Sequence, residues 1–316
     1  MHPYILLYKT LLPKKYRNYL ERAAGDLDMC HETLLHGTFY EEYKAYGFAG
    51  KSEAERRSYL TDAVRDKLCR RINSRGGEQI VANKWLTYSR LQKFYHRKVW
   101  LLQDSTMPQV LSHALAAGRL VVKPADSCGG RGVQLLACSS EAEWRQTLES
   151  MKGMVAEQCI VQDPRMAQWN PSSVNTVRVN TILRNGQVSL FTAFLRTGRA
   201  GSFVDNGLQG GIFANIDTAD GSITTDAFDE RPSNYPVHPD SGVPFRGERI
   251  PQWDELTTLC TKMAMAMPGM TYIGWDMALP PDGWEPVEAN RGEFIAQQIT
   301  LNRGLLHDFE RACGIG

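Results

Sequence analysis

The sequence predicts an α+β protein, and three observations carry that reading. Apolar spacing is helical through roughly the first quarter of the chain, then strand-like with single helices interspersed. Asn185-Gly186 is a two-residue hairpin turn between alternating strands. Pro280-Pro281-Asp282-Gly283 is a second turn between apolar runs. At 316 residues and 42% hydrophobic content the chain can bury a substantial core. A net charge of +1 supplies no global field for nucleic acid, so no nucleic-acid partner is expected.

Seven cysteines (Cys30, Cys69, Cys128, Cys138, Cys159, Cys260, Cys313) are dispersed without a C-x-x-C pair. That pattern argues against a disulfide framework or a cysteine–zinc site and points to a reducing, cytoplasmic location. No apolar run approaches the roughly 20 residues of a membrane span. The first 20 residues place apolar side chains before lysines, the reverse of a signal peptide. They read as a helix docked on the rest of the protein, with a helix lying on a membrane surface as the alternative.

Residues 1–77 form the expected N-terminal helical region. Ser52 and Glu55 make a capping box, and Tyr59, Leu60, Ala63, Val64, Leu68 and Ile72 follow at helical spacing, predicting one helix. Asn73-Ser74-Arg75-Gly76-Gly77 then breaks it. Asn83 caps a helix over 84–96, which puts Lys84 in the first turn, where the helix dipole disfavours a cation. Such a lysine is easier to understand beside an anion. A helix over 108–117 stops at Gly118 and leads into Leu120–Leu136, LVVKPADSCGGRGVQLL.

That stretch is the strongest local signal. A strand ends on Lys123, and the loop after it carries Ser127, Gly129, Gly130 and Gly132. Glycines permit close backbone approach and the lysine supplies a point charge, which together suit polyphosphate. The lysine precedes the glycines, so this is not a Walker A loop. Cys128 reads as a small loop residue rather than a nucleophile.

Downstream, Ser140 and Glu143 cap a helix to about residue 151, and 159–162 reads as a buried strand. The Asn185-Gly186 hairpin joins 176–184 to 187–196, with Arg178 and Asn180 on one face and Val177 and Val179 on the other. A strand over 212–216, a polar surface excursion over 218–249 and a helix over 252–267 precede the last hairpin. With a three-residue loop, Pro280 pairs with Trp284 and Asp276 falls opposite Glu288. Opposed carboxylates repel, so the pairing predicts a cation between them. Asn290 shares that face, and its neighbour Gly274 leaves the face open. Two carboxylates and an amide oxygen form a hard-oxygen set suited to Mg²⁺ with phosphates.

Lys84, Lys123 with its glycines, and Asp276/Glu288/Asn290 together resemble the ATP-grasp superfamily. NTVRV (175–179), VDN..QGG (204–211), HPDSG, IPQW, YIGWDMA and VEAN resemble the sugar-transfer associated ATP-grasp family. The resemblance implies an ATP-grasp fold, two α/β lobes sandwiching ATP, over residues 78–316, with a small lobe at about 119–165 and a large lobe at about 170–316. It implies that Lys84, Lys123 and the 127–132 loop hold ATP phosphates, and that Gln162, Asp163 and Arg165 form the adenine hinge. Asp276, Glu288 and Asn290 would hold two Mg²⁺ ions. VEAN lacks a glycine expected before the asparagine, and Gln162 and Gln168 stand where relatives often carry glutamates.

Arg178 and Arg196 are candidate catalytic groups, able to stabilise a transferring phosphoryl group or clamp a carboxylate. Asn206, Arg291, Gln297 and Gln298 are further pocket candidates, and His238 is a candidate base. The implied activity is an ATP-dependent carboxylate–amine ligase acting through an acyl phosphate, on small-molecule or glycan-linked substrates in polysaccharide or glycoconjugate modification. A kinase on the same scaffold and a non-catalytic nucleotide-binding regulator are the alternatives.

Overall fold

The computed structural model describes residues 27–127, 130–199, 201 and 210–315. Expectations for the first 20 residues, Cys128, Gly129 and Asn206 lie outside the described residues.

Strands β1 (Val99–Leu101), β2 (Leu120–Lys123), β3 (Gln134–Leu136) and β4 (Val155–Glu157) form an antiparallel sheet in the order β1-β4-β2-β3. Helices Met107–Ala117 and Glu141–Ser150 cover it, burying Leu111, Ala114, Trp144 and Leu148 against Val122 and Ala156. Gly118 ends the first of these helices at φ +69°, the left-handed cap that glycine adopts without strain.

Strands β5 (Thr176–Arg184), β6 (Gln187–Thr197), β7 (Ile212–Ile216), β8 (Ala227–Phe228), β9 (Asn234–Tyr235), β10 (Tyr272–Ala278) and β11 (Glu285–Asn290) form a second antiparallel sheet, ordered β11-β10-β5-β6-β7-β8-β9. Asn185 and Gly186 take φ of 51° and 74°, as a type I′ turn requires. Val177 and Val179 face the helix Trp253–Ala266, packing with Leu256, Cys260 and Met263. Arg178 and Asn180 face the other side, with the N-terminal helices and the helix Ile295–Leu301.

Among the described residues, the N-terminal helices share their core with the second sheet. Tyr43, Tyr46 and Phe48 pack on Phe194 and Phe213 of the sheet, and Leu60 and Leu68 on Tyr272 and Phe309. Asn73 Oδ1 accepts from the backbone N–H groups of Thr271 (2.9 Å) and Tyr272 (3.1 Å), fastening a helix end to β10.

Five local expectations change, the first being the helix over 84–96, which is α-helical only through Leu91 and then tightens into a 3₁₀ turn over Gln92–Phe94. The single helix over 52–72 is two, Glu53–Arg57 and Asp62–Ile72, because Thr61 makes a second N-cap through Val64 N. The break at 73–77 also starts a helix, Arg75–Val81, capped by Ser74. A Cβ on Gly77 would lie 2.7 Å from Pro268 O, so that glycine serves packing rather than a turn. Residues 159–162 form no strand, since the ladder ends at Glu157 and Val161 is exposed. The excursion over 218–249 contributes the edge strands β8 and β9.

Glu42, in the helix Tyr40–Ala45, accepts from the N–H groups of Phe39 (3.0 Å) and Asp62 (2.6 Å) while almost fully buried. Burial, and then the Asp62 charge, push its carboxyl from 4.5 up to about 8. Raised in the fold, it contributes stability that is complete below its unfolded value and lost as pH rises through about 8. The urea midpoint is therefore expected to decline across that window, and a Glu42→Gln variant to decline less; equal slopes would refute the assignment.

Candidate active site

The last hairpin delivers its carboxylates in the expected register, by a different route. Asp276 lies opposite Glu288 and Gly274 opposite Asn290. Nearer the turn, Met277 pairs with Pro286 and Ala278 with Glu285, so the loop spans 279–284 rather than three residues. An irregularity after Asp276 leaves Val287 as the extra residue and restores the register.

The predicted cation between the carboxylates is met by protein side chains. Asp276, 5% exposed, is gripped by Arg178, opposite it on β5, through Nε to Oδ1 and Nη2 to Oδ2 (2.8 Å). Arg196 Nη1 (2.9 Å) and Asn290 Nδ2 (3.2 Å) also donate to Oδ2. Burial would raise this carboxyl, but Arg178 and then Arg196 outweigh it and hold it at about 2. Lys84 Nζ lies 3.3 Å from Glu288 Oε1 and donates to Ser127 O. The anion anticipated beside a first-turn lysine is thus Glu288.

Gly274 makes the Arg178 grip feasible. A Cβ there would fall 2.6 Å from Asn180 Oδ1 and 3.2 Å from Arg178 Cδ, where the strand neighbours cross the open face. Lys123, on β2, pairs with Glu157 Oε1 at 2.6 Å, and its Nζ lies 3.5 Å from Val287 O. Burial would raise Glu157, yet Arg97 and Lys123 keep it lowered.

A cleft of about 880 Å³, the solvent at its mouth included, lies between the two sheets. Lys123 and Glu157 of the first sheet, Thr176, Arg196, Asp276 and Glu288 of the second, and Lys84, Ser127 and Gly130 line it, and Val121, Val133, Ile160 and Val174 supply apolar wall. The structure therefore brings Lys84, Lys123, Ser127, Gly130, Arg196, Asp276 and Glu288 to one cavity. Arg178 and Asn290 stand behind Asp276. Gly132 is outside the lining; its φ of +73° and a Cβ position 2.9 Å from Pro124 Cγ give it a backbone role in the loop.

The residues expected at the hinge stand outside the cleft. Gln162 spends its amide on the loop over 170–175: Nε2 donates to Asn170 O (3.0 Å) and Ser173 O, and Oε1 accepts from Asn175 N (3.0 Å). Asp163 caps the helix Pro164–Ala167 and pairs with Arg165. None of these three lines the cleft, whereas Gln158 and Ile160 do. The apolar run over 159–161 marked the segment, but nothing in it marked which residues turn inward.

His238 is fully buried and committed to a turn, with Nε2 against Gly198 O (2.9 Å) and Nδ1 accepting from Asp240 N (3.2 Å). Gln298 bonds Leu60, Tyr46 and Leu305, and Gln297 bonds Thr192, so both serve the fold around Ile295–Leu301; Arg291 is exposed. Glu157, which lines the cleft, and Arg97 behind it carry no sequence motif.

As a seat for Mg²⁺, the donor set fits in part. Arg178, Arg196 and Asn290 leave one lone pair on Asp276 Oδ1. Glu288 reaches the cleft directly, while Asn290, its Nδ2 on Asp276, stands outside the lining. Among the described residues no group of three His, Cys, Asp or Glu forms a metal cluster, so the set depends on the amide. No helix among them is long and apolar enough to cross a membrane.

Two sheets enclosing a cleft lined by paired lysines and carboxylates define an ATP-grasp architecture. The chain belongs to the sugar-transfer associated ATP-grasp family, whose model matches residues 63–313. Comparison with curated protein sequences gives no match. Among solved structures it is similar to the ATP-grasp ligase PsnB complexed with minimal precursor (14% identity, 77% of this chain and 62% of that one, TM-score 0.47). It is also similar to D-alanyl-alanine synthetase A from Vibrio cholerae (10% identity, 77% and 66%, TM-score 0.48) and L-amino acid ligase from Bacillus licheniformis (13% identity, 71% and 44%, TM-score 0.43). The chain spans less than two thirds of the length of each.

An Asp276→Asn change would leave Arg178 and Arg196 buried without their counter-charge. A loss of about 3 kcal/mol in urea unfolding is expected; a change under about 1 kcal/mol, the size of a surface pair, would remove this carboxylate from the centre of the site. Because its value is depressed, the wild-type contribution is complete above 3.8 and lost as pH falls through about 2.

Proposed function

We propose that the chain is an ADP-forming carboxylate–amine ligase. The observation that carries the reading is the gathering of Lys84, Lys123, Arg196, Asp276 and Glu288 around one cleft. Val121, Val133, Ile160 and Val174 offer an apolar slot for adenine, whose edge would meet the backbone at 158–160 rather than at Gln162, Asp163 and Arg165. Lys84, Lys123 and the loop through Ser127, Gly129 and Gly130 would take the phosphates. Asp276, Glu288 and Asn290 would hold Mg²⁺, two ions in the fullest arrangement, supplying charge neutralisation between the β- and γ-phosphates.

The reaction needs positioning more than a nucleophilic side chain. A substrate carboxylate oxygen attacks the γ-phosphorus and the bond to the ADP oxygen breaks, giving an acyl phosphate. An amine nitrogen then attacks the acyl carbon, phosphate leaves, and the amine loses a proton as the amide forms. Arg196, facing the cleft, would offset charge on the transferring group, while Arg178 keeps Asp276 oriented. The glycine loop, closing over the site, would keep water from the acyl phosphate. The family description favours substrates in polysaccharide or glycoconjugate assembly, with a sugar carrying the carboxylate or the amine, and a cytoplasmic setting follows from ATP use.

Incubation with Mg-ATP, uronic acids or amino acids, and hydroxylamine is expected to yield a hydroxamate together with one ADP per trapped acyl group. ADP formation with an accepted carboxylate but no hydroxamate would replace the ligase with a kinase.

A further inference from the structure

We infer that Arg97 is a positioning residue of the phosphate site, acting through Glu157 to set the Lys123 ammonium against the cleft. The inference rests on the proposed role of Lys123 in holding nucleotide phosphate.

Arg97 belongs to no motif. It lies in the short connection before β1, and its side chain is 3% exposed. Its guanidinium divides between two elements. Nε and Nη2 donate to Glu157 Oε2 at 3.1 and 3.0 Å, while Nη1 donates to Pro286 O at 2.7 Å and pairs with Glu285 Oε2 at 3.0 Å. Glu285 is itself held by the N–H groups of His96 (3.0 Å) and Arg97 (3.1 Å), and the Tyr95 ring lies 4.8 Å from the guanidinium. One buried cation thereby joins β4 of the first sheet to β11 of the second, at Glu285 and Pro286, two residues short of Glu288.

This division decides what Glu157 can do for Lys123. Arg97 occupies Oε2, so only Oε1 remains, and Lys123 sits on it at 2.6 Å with Val287 O as its second neighbour. The lysine is held between β4 and β11, aimed at the wall that carries Glu288. Two cations and two carboxylates balance along Lys123–Glu157–Arg97–Glu285. Lys123 can turn to a phosphate without stranding a buried carboxylate, because Arg97 stays on Glu157. A lysine at position 97 would keep the charge but could not fork between Glu157 and Pro286.

The test is a double-mutant cycle on nucleotide binding, read by calorimetry with ATP and with adenosine. Lys123→Met and Arg97→Met are each expected to weaken ATP about tenfold, roughly one charge-assisted hydrogen bond, and to leave adenosine unchanged. The double variant is expected to bind ATP no more weakly than Lys123→Met alone. Additive losses would overturn the inference, as would an Arg97 effect falling equally on ATP and adenosine, the signature of a purely structural role. An unchanged ATP affinity in Lys123→Met would overturn it by a separate route, removing the phosphate role on which it rests. Because Arg97→Met strips a buried cation, the cycle is repeated with Arg97→Lys, expected to show the same non-additivity at smaller size; additivity there counts equally against it.

Discussion

The site depends on the grip of Arg178 and Arg196 on the buried carboxylate of Asp276. Three strands meet at that point: β10 presents the carboxylate, β5 the first guanidinium and β6 the second. A carboxylate this deeply buried tolerates its charge only because two cations donate to it directly. The neighbouring architecture follows. Gly274 has no side chain where Arg178 and Asn180 cross, Asn290 turns its amide to the same oxygen, and Glu288 is left facing the cleft.

Charge is paired on both walls. Glu288 meets Lys84, and Glu157 meets Lys123 and Arg97, so no lysine of the cleft points into open space. The small and large sheets are thereby joined through ion pairs rather than through a shared apolar layer; the first sheet packs with its own two helices, the second with Trp253–Ala266. Such a joint is directional, and it orients lysines without filling the space between the walls.

Much of this was legible from local patterns. The Asn185-Gly186 turn, the caps at Ser52, Asn83 and Ser140, and the stop at Gly118 depend on neighbouring residues alone, and each holds. The opposition of Asp276 to Glu288 was also legible, though its supporting geometry was not: the loop is longer than three residues, and Val287 absorbs the difference. The opposed carboxylates called for a compensating charge, expected as Mg²⁺, and the charges the structure sets against them are side-chain cations. That these include arginines from neighbouring strands depended on strand order, which a turn does not encode.

By itself, the sequence determined the two long hairpins, their turns and the charged residue types that meet in the cleft, because period-two alternation and turn chemistry are local. Only the tertiary structure decided which residues turn inward between 158 and 165, and it chose Gln158 and Ile160 because Gln162 is bound to the loop over 170–175. It also decided that Arg97, outside every motif, stands between Glu157 and Glu285. Contacts of that kind join residues 60 and 188 positions apart, and their energy comes from desolvated charge, which no window of sequence contains.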